Sequence, residues 1–152
     1  RLMCVTEDSP DLQFIERTAG FKRALASAGI ELQSHSVIKG ECSFDFGYQM
    51  INDHRGILDE VDAIFAEADI IALGMMDALK DLGLRVPEDI RILGYDDIDF
   101  GHMYRPRLST VHQPREEMVR RGCEHLVRLM NGTAKKKLQE VVLPELVIRQ
   151  SC

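Results

Sequence analysis

The 152-residue sequence contains no tryptophan, and aromatic residues make up only 6% of it. A membrane-spanning helix needs about 18 consecutive apolar residues, and no apolar run of the sequence approaches this length, so no transmembrane segment is predicted. Its four cysteines, Cys4, Cys42, Cys123 and Cys152, lie far apart without CxxC spacing. A disulfide framework is therefore not indicated, and reduced thiols in a cytoplasmic protein are the simpler interpretation.

Motifs of common enzyme classes are also missing. No glycine-rich G-x-G-x-x-G or G-x-x-x-x-G-K-[ST] loop follows a predicted strand, and there is no H-E-x-x-H. Two interpretations of the adjacent Asp96 and Asp97 remain open: half of a Mg²⁺ site, or acids that hydrogen-bond at the end of a strand. We favour the second and expect neither an enzyme nor a bound metal or cofactor.

Basic residues are outnumbered, with 19 Lys and Arg against 25 Asp and Glu. Such an acidic chain is not expected to hold DNA by itself, because DNA binding requires cations that neutralise phosphates. Residues 1–110 carry 11 basic and 20 acidic residues, whereas residues 111–152 carry 8 and 5. This shift indicates a change in organisation near residue 110. We interpret the run Lys135–Lys137 as a solvated loop.

Apolar runs alternate with amphipathic segments along the chain. Strands are predicted at Leu2–Val5, His35–Lys39, Ala63–Ala66 and Ile90–Tyr95. Helices are predicted at Asp11–Ala28, Phe44–His54, Asp69–Leu82 and from Pro114 to the break at Asn131-Gly132. The alternation predicts an α/β fold, a doubly wound parallel sheet with helices on both faces. We interpret Val111–Pro114 as an extended link, and Val141–Leu143 and Leu146–Ile148 as extended segments.

Polar residues follow each predicted strand. In open α/β sheets, ligands bind beyond the carboxyl ends of the strands. The residues at these ends include one arginine, several carboxylates and a few aromatic rings, in Glu7–Asp11, Arg17, Gly40–Cys42, Phe44, Glu67–Asp69, Tyr95–Asp97 and His102. Carboxylates accept hydrogen bonds from hydroxyls and arginine donates in a planar fork, so this set suits a sugar or another small polyhydroxylated or nitrogenous ligand.

Several ordered segments of the chain together form a recognisable pattern: Glu16–Phe21, Asp62–Gly74, Leu82–Ile90, Leu93–Ile98, Arg105–Pro114 and Val142–Arg149. These segments resemble motifs of the LacI/GalR family of bacterial transcription regulators. The resemblance extends over nearly the whole chain. It implies a fold like that of periplasmic sugar-binding proteins, in which two α/β lobes flank a cleft behind an N-terminal helix-turn-helix.

The resemblance also implies how the chain is divided. Residues 1–110 are expected to form the C-terminal lobe of an effector-binding domain, and residues 111–132 a crossover helix that belongs to the N-terminal lobe. Residues 133–152 are expected to return to the C-terminal lobe as strands. The chain opens at Arg1 and enters a strand at once, which indicates a fragment. The resemblance implies that this fragment lacks the helix-turn-helix and most of the first lobe.

Positions of the effector site follow from the same resemblance. Arg17 matches an arginine that donates to the effector, and Asp96 matches an aspartate that accepts from it. Ala68 stands where many members have an effector-binding asparagine, and Cys42 falls near a position where some members have an aromatic ring. Phe44 is open to two interpretations, a replacement for that ring or a core residue. We interpret Asp69 as a helix cap.

The function implied is that of an effector-sensing region. A sugar-like or nucleobase-like molecule would bind in the cleft of a cytoplasmic homodimer and control operator binding through a domain absent from this chain, without catalysis. The alternative is a periplasmic solute-binding protein of a transport system, which has the same fold.

Overall fold

A computed structural model describes residues 1–134 and 139–152. The strands are β1 (Leu2–Glu7), β2 (Val37–Gly40), β3 (Ala63–Ala66), β4 (Arg91–Asp96), β5 (Ser109–His112) and β6 (Glu145–Val147). The α-helices are α1 (Leu12–Ser27), α2 (Phe44–Asp53), α3 (Arg55–Leu58), α4 (Asp69–Asp81), α5 (Asp99–Met103) and α6 (Arg115–Met130), with a 3₁₀ turn at Ser34–Ser36. In the described ranges, no helix is both long and apolar enough to cross a membrane.

The six strands form one sheet in the order β2-β1-β3-β4-β5-β6. Strands β1 to β5 pair in parallel, which confirms the predicted α/β fold. The expectation of a wholly parallel sheet needs one correction, because β6 pairs antiparallel with β5. The chain comes back from α6 and enters the open edge of the sheet in the opposite direction, a common arrangement for an edge strand.

Alternate residues of the strands face different helices. Met3 and Val5 of β1 join the main core cluster with α2 and α4. On the opposite face, α1 packs against the sheet, and Phe21 stacks on Phe65 of β3 with ring centroids 5.6 Å apart. Because side chains alternate along a strand, the apolar runs of β1 and β3 supply both faces. The prediction of helices on both faces is confirmed.

Helices α2 and α4 approach each other closely at two glycines. A Cβ on Gly74 would overlap the carbonyl oxygen of Phe44, and a Cβ on Gly47 would overlap that of Ile71. Ser43 starts α2 by accepting a hydrogen bond from the Phe46 backbone N–H. The two glycines therefore set the distance between the helices that cover this face of the sheet.

Helix α6 differs from the others in having no buried residue. Its large apolar side chains are all well exposed: Met118, Val119, Leu126, Val127, Leu129 and Met130. The segments around it also depart from prediction, since the first two residues of the expected link Val111–Pro114 are the end of β5, and Val141–Leu143 is not a strand. The lysine run Lys135–Lys137 lies outside the described residues.

Candidate ligand-binding site

The order in which successive strands are added to the sheet reverses at β1. From β1 the chain moves to β2 on one side and then to β3 on the other. Such a reversal leaves a crevice at the carboxyl ends of the strands, because the helices that follow them lie on opposite faces. Three residues meet at this end: Arg17 from α1, Glu67 after β3, and Asp96 at the end of β4.

Arg17 is fixed by contacts on several sides. Its Nη1 donates to the Glu67 carbonyl oxygen at 2.6 Å, and its Cζ lies 3.8 Å from the centroid of the Tyr95 ring. The Phe14 ring lies 5.3 Å away, and only 12% of the Arg17 side chain is exposed. A guanidinium stacked in this way is held in a plane, so its remaining N–H groups point in defined directions.

Asp96 lies beside Arg17 at this end of the sheet. The distance between Arg17 Nη2 and Asp96 Oδ1 is 3.8 Å, and Gln113 donates a hydrogen bond to the same oxygen. Burial raises the pKa of Asp96, while Arg17 and Gln113 act in the opposite direction. The site therefore combines a cation, an anion and a primary amide, which suits a ligand that both donates and accepts hydrogen bonds.

The backbone at Asp96 and Asp97 is unusual. Their φ angles are 118° and 55°, in the region that favours glycine. Such conformations cost free energy and persist where surrounding contacts fix them. Here the Asp97 backbone N–H donates to Thr110 Oγ1 at 3.3 Å, and both carboxylates are held by other side chains.

Asp97 belongs to a separate cluster of charged and histidine side chains. Its carboxylate accepts a hydrogen bond from Arg149 at 2.5 Å, and His112 Nδ1 lies 2.9 Å from it. His102 Nε2 lies 3.2 Å from the same carboxylate. In the part of the chain that the structure describes, no group of three or more His, Cys, Asp or Glu residues is arranged to hold a metal ion. Asp97 thus ties protein segments together.

Two other predicted residues, Ala68 and Cys42, follow strands β3 and β2 at the same end of the sheet. Ala68 is buried and directly follows Glu67, whose carbonyl oxygen accepts from Arg17. Burial raises the pKa of the Cys42 thiol, the carboxylates of Glu7 and Asp96 raise it further, and Arg17 lowers it. Cys42 is therefore within electrostatic range of both Arg17 and Asp96.

Phe44 occupies a different environment. It is the first residue of α2, is partly buried, and packs against the core cluster. These contacts favour the interpretation of Phe44 as a core residue over that of a ring placed under a ligand.

Asp69 is not the helix cap that the sequence suggests. The N-cap of α4 is Ala68, and Asp69 is the first helical residue, fully buried. Its carboxylate accepts from the Thr110 hydroxyl at 2.6 Å and from the Ile98 backbone N–H at 2.9 Å. The pKa of Asp69 is raised overall, because the effect of burial exceeds that of these hydrogen bonds, which lower it. Asp69 links β5 and the loop after β4 to α4, in the interior of the protein.

Sequence reasoning missed Gln113 and misplaced Glu67. Gln113 follows β5, and the pairing of Asp96 with His112 brings it next to the Asp96 carboxylate. Recognition of β5 as a strand would have revealed this position. Glu67 was expected at the rim with other carboxylates, but its side chain is fully buried, so only its carbonyl oxygen reaches the site.

The model of the periplasmic binding protein-like domain family matches residues 1–152. The chain belongs to this family. It is 31% identical over 151 residues to the HTH-type transcriptional repressor PurR of Photobacterium profundum, covering 99% of this chain and 45% of that protein. The chain thus spans less than half the length of this curated relative.

Solved structures of transcription regulators share the fold. The complex of the transcriptional regulator CelR with cellobiose superposes with a TM-score of 0.91 and 30% identity, over 100% of this chain and 46% of that one. The lac repressor dimer bound to operator and the anti-inducer ONPF gives a TM-score of 0.84 at 28% identity, over 99% of this chain and 52% of that one. The resemblance to regulators of the LacI/GalR type is confirmed.

Proposed function

We propose that this chain is the effector-binding part of a LacI/GalR-type transcription regulator. The observation that carries the proposal is the opposed pair of Arg17 and Asp96 at the switch point of the sheet. Regulators among the relatives supply the context, and they support this function over that of a periplasmic solute-binding protein. The work done is binding and switching, without catalysis.

The ligand that fits is a small polar molecule, sugar-like or nucleobase-like. Arg17 would donate to it, Asp96 would accept from it, and Tyr95 would support the guanidinium from below. The CelR structure holds a sugar, cellobiose, which supports the sugar-like class. Ala68 offers only a methyl group, and Cys42 would contact an edge of the ligand.

We assign residues 1–110 to one lobe, residues 111–132 to a crossover helix and residues 133–152 to a return segment. The bare apolar face of α6 supports this division, since a helix with no buried residue needs a covering surface outside this lobe. The covering surface would be the first lobe of a complete regulator, which would also carry a helix-turn-helix domain.

Ligand binding would switch the regulator by favouring one arrangement of its lobes. A ligand shifts such an equilibrium only if it binds one arrangement more tightly than the other. The lac repressor structure contains a dimer on its operator, which supports a homodimer and operator DNA as partners of the complete protein. A regulator of this kind would act in the cytoplasm.

A thermal-shift screen tests the proposal. The 152-residue chain and the complete two-lobed protein are each melted with sugars, sugar phosphates and nucleobases. A ligand at 100 times its dissociation constant adds about 2.7 kcal/mol to the unfolding free energy, which raises the melting temperature of a domain of about 150 to 250 residues by roughly 5 to 10 °C. We expect a shift in the two-lobed protein that Asp96→Asn abolishes.

Glu88→Gln serves as the matched control, because it removes an exposed carboxylate from the same lobe far from Arg17 in the sequence. It should leave the ligand-induced shift unchanged. Flat melts with every ligand class, or a shift that Asp96→Asn leaves intact, would contradict the proposed site.

A further inference from the structure

Glu67 is a buried carboxylate that the proposed ligand contacts do not use. The residue is fully buried where the chain leaves β3. Its Oε2 accepts from the Thr6 hydroxyl at 2.6 Å, and its Oε1 accepts from the Thr18 hydroxyl at 2.6 Å. The Cys4 thiol donates to Oε1 at 3.4 Å. All three donors are neutral groups.

Burial of the Glu67 carboxylate among neutral donors costs free energy. A carboxylate loses its hydration when it is buried, and neutral donors replace that hydration only when their geometry is well fixed. An apolar residue would fill the same space between β1, β3 and α1 without this cost. The Glu67 side chain therefore does more than fill the interior, and its hydrogen-bond partners show which segments it holds together.

Glu67 holds two consecutive residues of α1. Its side chain accepts from Thr18, and its carbonyl oxygen accepts from Arg17 Nη1 at 2.6 Å. Its backbone N–H in turn donates to the Val5 carbonyl oxygen at 2.9 Å, which fixes Glu67 on β1. One residue thus joins the sheet to the helix turn that presents Arg17.

We propose that Glu67 is the positioning residue of Arg17, holding the guanidinium on the Tyr95 ring and aimed at Asp96 before any ligand arrives. The Thr18 bond fixes the turn of α1, and the carbonyl bond fixes the side chain that leaves that turn. Preorganisation of this kind lowers the entropic cost of binding, because the donor is already ordered. The consequence for ligand affinity rests on the proposed function, whereas the ordering of Arg17 does not.

Thr18 and Thr6 provide a matched pair of variants. Each hydroxyl donates one 2.6 Å hydrogen bond to the Glu67 carboxylate, and each is removed by an isosteric change to valine. Only Thr18 lies on the helix that carries Arg17, because Thr6 is on β1. A purely structural role for Glu67 predicts the same effect on Arg17 from both variants.

The test is arginine side-chain NMR of the full 152-residue chain without ligand. A fixed guanidinium rotates slowly about its C–N bonds, so we expect separate resonances for the two Arg17 Nη groups of the wild type. In Thr18→Val these resonances should merge into one, and in Thr6→Val they should stay separate. Thr18→Ser, which keeps the hydroxyl, should restore the wild-type spectrum.

Every other pattern overturns the proposal. Merged Arg17 resonances in the wild type, equal behaviour of Thr18→Val and Thr6→Val, or no rescue by Thr18→Ser would each do so. Since no ligand is added, the result is independent of the thermal-shift screen. An ordered Arg17 in a chain whose complete form binds none of the screened molecules would contradict the proposed ligand-binding site and leave the positioning by Glu67 standing.

Discussion

Helices α4 and α6 both carry apolar residues at helical spacing, but only α4 is covered by other parts of this chain. Nine residues of α4 are buried, including Ile71, Met75 and Leu79, and α6 has none. Packing against α2 and the sheet surrounds α4, while the apolar side chains of α6 face outwards. An apolar stripe at helical spacing therefore predicts that one face of a helix packs against another surface. It does not predict that this surface belongs to the same chain.

The largest expected effect comes from truncating one leucine on each helix. Leu79→Ala in α4 removes a fully buried side chain and should cost about 2 to 5 kcal/mol of unfolding free energy. Leu126→Ala in α6 changes a side chain that is 57% exposed and should cost less than about 0.5 kcal/mol. Urea denaturation of both variants measures the difference. Equal losses would mean that α6 is covered after all.

A pair of glycines sharpens the comparison. Alanine is the better helix former, so Gly122→Ala in α6, where the added Cβ meets open space, should stabilise the chain by about 0.5 to 1 kcal/mol. Gly74→Ala in α4 should instead destabilise it by about 1 to 3 kcal/mol, because the Cβ overlaps the Phe44 carbonyl oxygen. Thermal melts of the two variants give the signs, and a gain in stability from Gly74→Ala would contradict the close approach of α2 and α4.

The smallest expected effect concerns the attachment of α6. Burial raises the pKa of Asp97, but hydrogen bonds from Arg149 and His112, which flank α6 in sequence, outweigh it and lower the pKa overall. A carboxylate with a lowered folded-state pKa adds stability above its unfolded value of about 3.9. That stability is lost as pH falls through the lower, folded-state value.

We therefore expect the unfolding free energy of the wild type to fall below about pH 4 more steeply than that of Asp97→Asn. Asparagine tolerates the positive φ at this position, so the variant isolates the charge. Denaturation curves recorded between neutral and acidic pH compare the two proteins. Parallel pH profiles would show that Asp97 does not anchor the segments on either side of α6.

Local patterns in the sequence predicted the central strands well. Ala63–Ala66 is the strand that its apolar run indicates, and β1 begins at Leu2 as expected. These strands are buried on both faces and read as continuous apolar runs. Strand β6 has three residues and exists only through pairing with β5, so its sequence carried little signal of direction.

The candidate site was likewise predictable from the sequence only in part. Arg17 and Asp96 could be placed together because the carboxyl ends of parallel strands share one edge, and their 3.8 Å separation agrees with that rule. The buried contacts of Asp69 and Glu67 join residues 41 and 49 positions apart, Thr110 and Thr18. No local pattern distinguishes a buried acid with distant hydroxyl partners from an acid that caps a helix or lines a rim.

The positive φ angles at Asp96 and Asp97 set a limit on redesigning ligand specificity. A β-branched residue such as valine or threonine is strained in this backbone conformation, whereas glycine and asparagine adopt it more easily. A library that varies position 96 would thus select for backbone compatibility as well as for ligand chemistry. Greater freedom exists at Cys42, whose backbone lies outside this conformation and whose side chain is only partly buried, whereas Ala68 has an ordinary backbone but is buried in the core.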